Sequence, residues 1–357
     1  MEENKQHKTA LPETEPIPSA QAPEALLDIR GLRVEYHTDE DVVYAVNGLD
    51  LTIGKGESLG LVGEPGAGKT TTALSVLRLI ADPPGKIMGG EIWFEGEDML
   101  QAKPARLREI RGSKISVIFQ DPMTSLNPVY SVGDQIAEVI HQHEKCSKEE
   151  GRRKAGDMLE MVGIPRARYD EYPHQFSGGM KQRVVIAMSI ACSPELILAD
   201  EPTTALDVTI QAQVLELMNE LKEKLRTSLL LITHDLGVVA QVCDRVAIMY
   251  AGEIVESGTI AEVFDHPHHP YTIGLFGSIP SLDETAEKLK PIQGQMPDPT
   301  ELPEGCAFAP RCPYATGACR TRKPEMTGVG GTQMVRCLAH QGVFESPELM
   351  EEVRHGR

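Results

Sequence analysis

The chain has 357 residues, of which 41% are hydrophobic and 25% are charged, a composition typical of a folded protein with a sizeable core. Its 35 Lys and Arg residues stand against 53 Asp and Glu residues, giving a formal net charge of −18, and aromatic residues make up only 4%. This balance argues against a protein that binds the phosphate backbone of a nucleic acid or stacks on its bases, so we expect no nucleic-acid partner.

The first segment, residues 1–24, is rich in Pro, Glu and Ala and has no hydrophobic periodicity, which predicts a disordered tail. It has no apolar region typical of a secretion signal, and no run in the chain approaches the roughly 18 apolar residues of a membrane-spanning helix. We therefore expect the protein to stay in the cytosol, where Cys146, Cys192 and Cys243 would be reduced thiols.

From residue 25 onward, short β-type runs alternate with helical runs. The runs SLGLVG, LILAD and SLLLITH are typical of buried parallel strands, while GRRKAGDMLEMVGI and TIQAQVLELMNELKEKL carry apolar residues at helical spacing. This predicts an α/β domain over residues 25–265 with a helical subdomain at about 122–190. Residues 266–345 are rich in Pro, Gly and Cys, which indicates a small irregular C-terminal extension, and residues 346–357 are interpreted as a tail.

The sequence GEPGAGKTT follows the first buried strand and precedes an apolar helix, and it matches the phosphate-binding pattern G-x-x-x-x-G-K-[ST]. Its glycines let backbone N–H groups face phosphate oxygens, Lys69 would reach the β and γ phosphates, and Thr70 would bind Mg²⁺. The alternative is a glycine-rich turn that arose by chance. The residues expected to contact the nucleotide here are Gly63, Glu64, Pro65, Gly66, Ala67, Gly68, Lys69, Thr70 and Thr71.

The sequence LILADEP ends a buried strand with two acids, Asp200 and Glu201. Ligands of open α/β sheets lie at the carboxyl ends of the strands, so Asp200 would help to hold Mg²⁺ and Glu201 would polarise the attacking water. The alternative role for Asp200 is to cap the next turn. Two acids with two roles indicate hydrolysis rather than binding alone.

Two further sequences point to the same chemistry. SGGMKQR opens an apolar helix, where Ser177 would cap the helix while Gly178 and Gly179 expose backbone donors to an anion. LLLITHD ends a buried strand with His234, beside the expected phosphate site. Read alone, the first is also what a well-capped helix looks like, and a lone histidine at a strand end is usually structural.

In this order and at these separations, the four motifs resemble the nucleotide-binding subunit of ATP-binding cassette (ABC) transporters, over about residues 26–264. The resemblance implies an ATPase in which two such domains stack head to tail. The helix that starts with Ser177, Gly178 and Gly179 would then cover ATP bound by the partner. The position after Gly179 is usually glutamine in the family and is Met180 here, so we expect no polar contact from that side chain.

The resemblance also implies roles for residues outside the four motifs. Gln120 in VIFQDP resembles the glutamine that senses Mg²⁺, and we expect it to act as a metal ligand and in catalysis. Asp207 in TALD matches the loop that follows the double-acid motif, and His234 matches the histidine that contacts the γ-phosphate. Tyr36 resembles the aromatic residue that stacks on adenine, with Tyr44 as a rival and an ordinary strand tyrosine as the third possibility.

The flanking sequences, among them DPMTSLNPVYSVGDQI and HPHHPYTIGLFGSIP, resemble the D-type ATPase subunit of oligopeptide and dipeptide importers over about residues 26–340. This implies a peripheral protein on the cytoplasmic face of the inner membrane that powers peptide import through two permease subunits. Its other partners would be a second, related ATPase, or a second copy of the chain, and an extracytoplasmic substrate-binding protein. Nickel importers share much of this pattern, and a non-transport ABC ATPase is a more distant alternative.

Four of the seven cysteines lie close together near the end of the chain, with five, six and seventeen residues between successive members. Structural zinc sites usually contain a tight C-x₂₋₄-C pair, which is missing here. Looser spacing among Pro and Gly suits a [4Fe–4S] cluster, and this resembles D-type subunits that carry such a tail. Zinc and free structural cysteines are the alternatives. The expected ligands are Cys306, Cys312, Cys319 and Cys337.

Overall fold

The computed structural model describes residues 25–204, 206–278 and 291–355. The tail predicted for residues 1–24 lies outside these ranges. Among the described residues, no helix combines the length and the apolar character that crossing a bilayer requires.

A four-stranded antiparallel sheet is formed by β1 (Ala25–His37), β2 (Val42–Gly54), β4 (Gly85–Phe94) and β5 (Glu97–Asp98). Its strand order is β2-β1-β4-β5. Apolar residues of β1 alternate with polar ones, and the apolar side chains are buried, for example Leu27 and Ile29. This alternation is typical of a sheet with one face on the core.

The strands of a larger, eight-stranded sheet lead into the residues of the predicted phosphate site. Its strands are β3 (Ser58–Val62), β6 (Ile115–Ile118), β7 (Leu196–Asp200), β8 (Ser228–Thr233), β9 (Arg245–Tyr250), β10 (Glu253–Thr259), β11 (Thr327–Gly330) and β12 (Gln333–Val335). Their order is β11-β12-β10-β9-β3-β8-β7-β6, and the five strands from β9 to β6 run parallel. Every residue of β3, β7 and β8 is buried, which confirms the three strands predicted from continuous apolar runs.

Twelve α-helices occur in the described ranges, and the two helical sequences quoted above are confirmed as α5 and α7. The helices are α1 (Lys69–Val76), α2 (Pro104–Ile110), α3 (Pro122–Ser125), α4 (Val132–His143), α5 (Lys148–Met161), α6 (Gly178–Ile190), α7 (Val208–Leu225), α8 (Leu236–Val242), α9 (Ile260–Asp265), α10 (Pro270–Gly277), α11 (Gly317–Thr321) and α12 (Pro347–His355). Short 3-10 helices cover Arg166–Arg168 and Pro173–Gln175.

Polar side chains fix where several helices begin. Ser131 accepts a hydrogen bond from a backbone N–H at the start of α4, as Ser147 does for α5, and Asp207 does so for α7 at 3.0 Å. Such caps satisfy N–H groups that have no partner inside the helix. The chain therefore leaves β7 and enters α7 at a fixed residue.

Two apolar clusters hold the elements together on the two sides of the large sheet. In one, Leu27 of β1 and Val76 of α1 pack with Leu59 and Leu61 of β3. Because α1 belongs to this cluster, the loop before it is held between a buried strand and a buried helix.

The other cluster joins the helical subdomain to the opposite side. It contains Ile136 of α4, Leu159 of α5 and Val184 of α6 together with Leu229 and Ile248 of the large sheet. The helical subdomain thus shares one core with the strands that position the site.

The C-terminal segment adds two strands to the large sheet. Strand β12 pairs antiparallel with β10, with Glu256 opposite Val335 and Ser257 opposite Met334. Residues 346–357, interpreted from the sequence as a tail, contain helix α12. Its Leu349 is fully buried, because an apolar face of this helix packs on Ala339.

Candidate functional site

The phosphate-binding loop lies between β3 and α1, as the sequence predicts. A Cβ atom at Gly63 would lie 2.2 Å from the carbonyl oxygen of Met249, and one at Gly68 would lie 2.3 Å from that of Ala45. Gly68 also has a φ of +102°, which disfavours other residues. The loop can therefore take this path only with glycine at both positions.

Lys69, the first residue of α1, turns its side chain back into the loop. Its Nζ donates to the carbonyl oxygens of Gly63 at 2.7 Å and Glu64 at 3.1 Å, and only 6% of the residue is exposed. Burial lowers the pKa of Lys69, while the carboxylates of Glu201, Asp200 and Glu64 act in the opposite direction. A positive charge thus lies between the loop and the acids at the end of β7.

Asp200 ends β7 and is 7% exposed. Its carboxylate accepts a hydrogen bond from the hydroxyl of Thr70. Burial raises the pKa of Asp200, and the hydrogen bond from Thr70 opposes this shift. Together the two side chains supply the oxygen ligands that Mg²⁺ prefers, next to the loop that would bind phosphates.

Glu201 accepts three side-chain hydrogen bonds. They come from Gln120 Nε2 at 2.8 Å, from the Thr204 hydroxyl at 3.0 Å and from His234 Nδ1 at 3.0 Å. Burial raises the pKa of Glu201, but the bonds from His234 and Thr204 outweigh it, and the pKa lies below its usual value. At neutral pH the carboxylate is therefore ionised, as a group that polarises water must be.

Tyr36 lies beside the helix that follows the loop, with its Oη 3.1 Å from the hydroxyl oxygen of Thr71. Its rival, Tyr44, is on the neighbouring strand β2 and has 38% of its surface exposed. Stacking of either ring on adenine stays a prediction.

Ser177, Gly178 and Gly179 start α6, and Ser177 Oγ accepts a long 3.4 Å hydrogen bond from the Met180 N–H. In the described part of the chain, no hydrogen bond or ion pair joins these three residues to the phosphate-binding loop. Asp207 caps α7, as described above. Their roles in nucleotide binding therefore remain predictions.

The four C-terminal cysteines do come together. Cys306, Cys312, Cys319 and Cys337 line one cavity of about 20 Å³, and none forms a disulfide. Burial raises the pKa of Cys306 to about 11 and that of Cys312 to about 12. Within the described ranges, no group of three or more His, Cys, Asp or Glu side chains is arranged to hold a metal ion.

Three residues near the site were missed from the sequence. Thr204 donates a hydrogen bond to Glu201, which lies three residues earlier in the chain. This spacing is common in turns and could have been recognised from the sequence. Arg311 and Tyr271 both contact Glu64 of the loop. No local pattern connects Arg311 to a residue 247 positions earlier.

The geometry agrees with what comparison with known proteins finds. The family model "ABC transporter" matches residues 46–204, and "Oligopeptide/dipeptide transporter, C-terminal region" matches residues 255–319. The chain is 51% identical to the Oligopeptide transport ATP-binding protein OppD of Bacillus subtilis, over 91% of this chain and 93% of that protein. It is 49% identical to the Oligopeptide transport ATP-binding protein AppD of the same organism, over 88% of this chain and 97% of that protein.

Among solved structures, a dimeric ATP-binding cassette in a post-hydrolysis state, bound to ADP and Pi, is similar in fold. Its TM-score is 0.59 at 28% identity, and the match covers 66% of this chain and 98% of that one. The match therefore covers the whole of a cassette and leaves about a third of the present chain outside it.

Proposed function

The chain belongs to the ABC transporter family of ATP-binding proteins, and from this membership we propose that it hydrolyses ATP to drive the import of di- or oligopeptides through a membrane permease. The import of peptides rests on the named relatives, and one observation carries the ATP-hydrolysis part of the proposal. An ionised Glu201, held by Gln120 and His234, lies within electrostatic reach of the buried Lys69 of the phosphate-binding loop.

Each residue near the loop has a part in this proposal. The loop N–H groups and Lys69 bind the phosphates, and Thr70, Asp200 and Gln120 hold Mg²⁺. When bound, Mg²⁺ neutralises negative charge on the phosphate oxygens. Glu201 accepts a proton from the attacking water, and His234 orients the carboxylate and the γ-phosphate. Tyr36 stacks on adenine.

The products of the reaction are ADP and phosphate. The free energy of hydrolysis drives conformational work in the other subunits. We propose that the chain lies on the cytoplasmic face of the membrane, bound to two permease subunits that receive peptides from an extracytoplasmic binding protein. A second ABC ATPase, related or identical, completes the nucleotide site through its Ser-Gly-Gly helix. Residues 25–265 form the cassette and residues 266–345 the transporter-specific extension.

The test is to co-purify the chain with its permeases, reconstitute the complex in lipid vesicles, and measure ATP hydrolysis with the binding protein and either peptides or Ni²⁺. Stimulation by di- or oligopeptides supports the proposal. Stimulation by Ni²⁺ chelates alone would replace peptide import by nickel import, and hydrolysis without any permease dependence would favour a non-transport ATPase.

We further propose that Cys306, Cys312, Cys319 and Cys337 hold a [4Fe–4S] cluster. Four thiols lining one cavity fit the Cys₄ ligand set of such clusters. In the ranges described, the four side chains are not grouped as an assembled site for either zinc or a cluster, so the choice of a cluster over zinc rests on the missing C-x₂₋₄-C pair. A bound cluster would cross-link the irregular extension, and the four thiols would lose their protons on binding.

Anaerobic purification followed by iron and sulfide analysis and visible absorption tests the cluster. We expect about four irons and four sulfides per chain, and Cys312→Ser should lower both. Cys146 is half-buried and lies between α4 and α5, away from the four thiols, so Cys146→Ser is a suitable control. A colourless protein with one zinc per chain and no sulfide would overturn the assignment.

A further inference from the structure

A partly buried ion pair joins the C-terminal segment to the phosphate-binding loop. Arg311 Nη1 donates to both carboxylate oxygens of Glu64, at 3.1 and 3.0 Å. The side chain of Arg311 is 6% exposed and that of Glu64 is 27% exposed. Because Arg311 is nearly covered while Glu64 keeps some contact with solvent, water screens their interaction less than it would on an open surface.

Other contacts hold Arg311 in this position. Its Nη1 also donates to the Tyr250 Oη at 3.3 Å, and its Nε donates to the carbonyl oxygen of Gln293 at 3.1 Å. The ring of Phe308 packs edge-on against Tyr250, with centroids 5.3 Å apart. The guanidinium group is therefore placed by its surroundings and does not depend on Glu64 alone.

The C-terminal half of the chain contacts the loop at two more points and strand β2 at a third. Tyr271 Oη accepts a hydrogen bond from the Glu64 N–H at 3.0 Å. The Met296 methyl would lie 3.2 Å from a Cβ at Gly66, and Pro299 accepts a hydrogen bond from the Tyr44 N–H at 2.9 Å. The loop is thus supported on one side by residues far from it in sequence.

A carboxylate in this loop is electrostatically unfavourable for a ligand that carries several negative charges. Glu64 is close enough for its charge to act on Lys69, the residue expected to meet the phosphates. An arginine paired with Glu64 cancels that charge at the place where the ligand would bind.

We infer that Arg311 is a positioning residue of the nucleotide site, which neutralises Glu64 and fixes the phosphate-binding loop so that a nucleoside triphosphate is not repelled. The inference rests on the proposed function, since it assumes that the loop binds ATP. It makes the C-terminal segment a working part of the site and not only an attachment to it.

The test is to measure the dissociation constants of ATP and ADP with Mg²⁺ on the purified full chain, together with thermal stability. Arg311→Gln should weaken ATP binding on the order of tenfold, and ADP binding by a smaller factor because ADP carries less charge. The double variant Glu64→Gln/Arg311→Gln also removes the opposing carboxylate charge. Its dissociation constant for ATP should return to within about threefold of the parent's.

Two more variants separate charge compensation from loss of structure. Arg311→Lys keeps the charge but loses the Nε hydrogen bond to Gln293, so it should weaken ATP binding by a smaller factor than Arg311→Gln does. Arg322→Gln removes an exposed arginine of the same segment and should change neither constant. If Arg311→Gln is too unstable for binding measurements, the dissociation constants of the double variant and of Arg311→Lys still show whether the charge at position 311 matters.

The inference fails if Arg311→Gln binds ATP as the parent does. It also fails if ATP and ADP weaken equally and removal of the Glu64 charge restores nothing, because loss of structure alone predicts that pattern. A parent chain that bound no ATP would instead overturn the proposed function, so the two failures are distinguishable.

Discussion

Among the single residues of the site, Glu201 has an unfavourable backbone conformation while its carboxylate accepts hydrogen bonds from several side chains. Its φ is +46°, a left-handed conformation that non-glycine residues rarely adopt. Its N–H donates to the carbonyl oxygen of Ile232 at 2.8 Å, and its carboxylate accepts three hydrogen bonds. Strain of this kind persists where the surroundings fix it, and functional sites are a common place for it.

We expect Glu201→Gln to bind ATP and to lose most of its turnover in the assembled complex. An amide cannot accept the proton from water, and general bases contribute roughly 10²–10⁴-fold to rates. Steady-state hydrolysis and equilibrium ATP binding, measured side by side, check this. Glu216→Gln, an exposed change on α7, is the matched control, and wild-type turnover by Glu201→Gln would contradict the role.

The sequence was most informative about the individual side chains of the phosphate site. Lys69, Thr70, Asp200 and Glu201 were predicted to meet, and the structure brings them together. The carboxyl ends of the parallel strands β3 and β7 lie at one sheet edge, with β8 between them. Arg311 could not be predicted. Its partner is brought near only by packing of the whole chain.

At the scale of elements, short helix α9 is tied to the turn between β11 and β12. Glu262 accepts from the Thr259 N–H at 2.8 Å in a capping box, and it also accepts from the N–H and hydroxyl of Thr332 at 2.7 and 2.6 Å. Burial raises the pKa of Glu262, but these hydrogen bonds outweigh it and lower the pKa to about 2. One carboxylate thus joins the cassette to the C-terminal segment.

We expect Glu262→Gln to lower the free energy of unfolding by about 1 kcal/mol near pH 7, since an amide cannot accept all these hydrogen bonds. A depressed folded pKa means that the stabilisation is fully present above the ordinary value of 4.5 and is lost as pH falls through about 2. The difference in melting temperature between parent and variant should therefore shrink below about pH 4.5. Glu220→Gln, on the exposed face of α7, should show no such difference, and a gap between parent and Glu262→Gln that stayed constant down to pH 3 would count against the linkage.

Long periodic or continuously apolar elements were predictable, because burial on one or both faces determines their pattern. The helix α12 was not, since nine residues with only two buried apolar side chains, Leu349 and Val353, resemble a charged tail until Ala339 is placed beside them. The short strand β12 was also missed, because its pairing partner β10 lies far away in sequence.

In the whole molecule, the helix that starts with Ser177, Gly178 and Gly179 is the feature whose proposed role involves a partner subunit. Gly179 is buried, and a Cβ there would lie 2.3 Å from Ile210 Cγ2, so larger residues at 179 would disturb the packing of α6 on α7. Gly178 is exposed, and the nearest atom to a Cβ there is Leu206 Cδ2 at 3.8 Å. Gly178 is therefore the better position for a test.

We expect Gly178→Asp to impair hydrolysis in the assembled complex, on the order of 10²-fold, because its charge would face the phosphates bound by the partner. The isolated chain should still bind ATP, since its own loop is untouched. Gly89→Asp is the control for the added charge, because a Cβ at Gly89 would meet nothing within 4 Å. ATP-dependent crosslinking between position 178 and the partner's loop completes the measurement, and equal hydrolysis by Gly178→Asp and the parent would refute action in trans.

The pairing of β10 with β12 has a consequence for synthesis on the ribosome. Strand β10 has β9 on one side, and among the described residues the strand that pairs with its other side is made roughly 80 positions later. At ~5–20 residues per second, this leaves a strand edge open for on the order of 4–16 s while the rest of the sheet can already form. An open edge is a template for pairing with other chains. The nascent protein thus carries an open strand edge until β12 is made, and a premature stop ahead of residue 333 would make that exposure permanent.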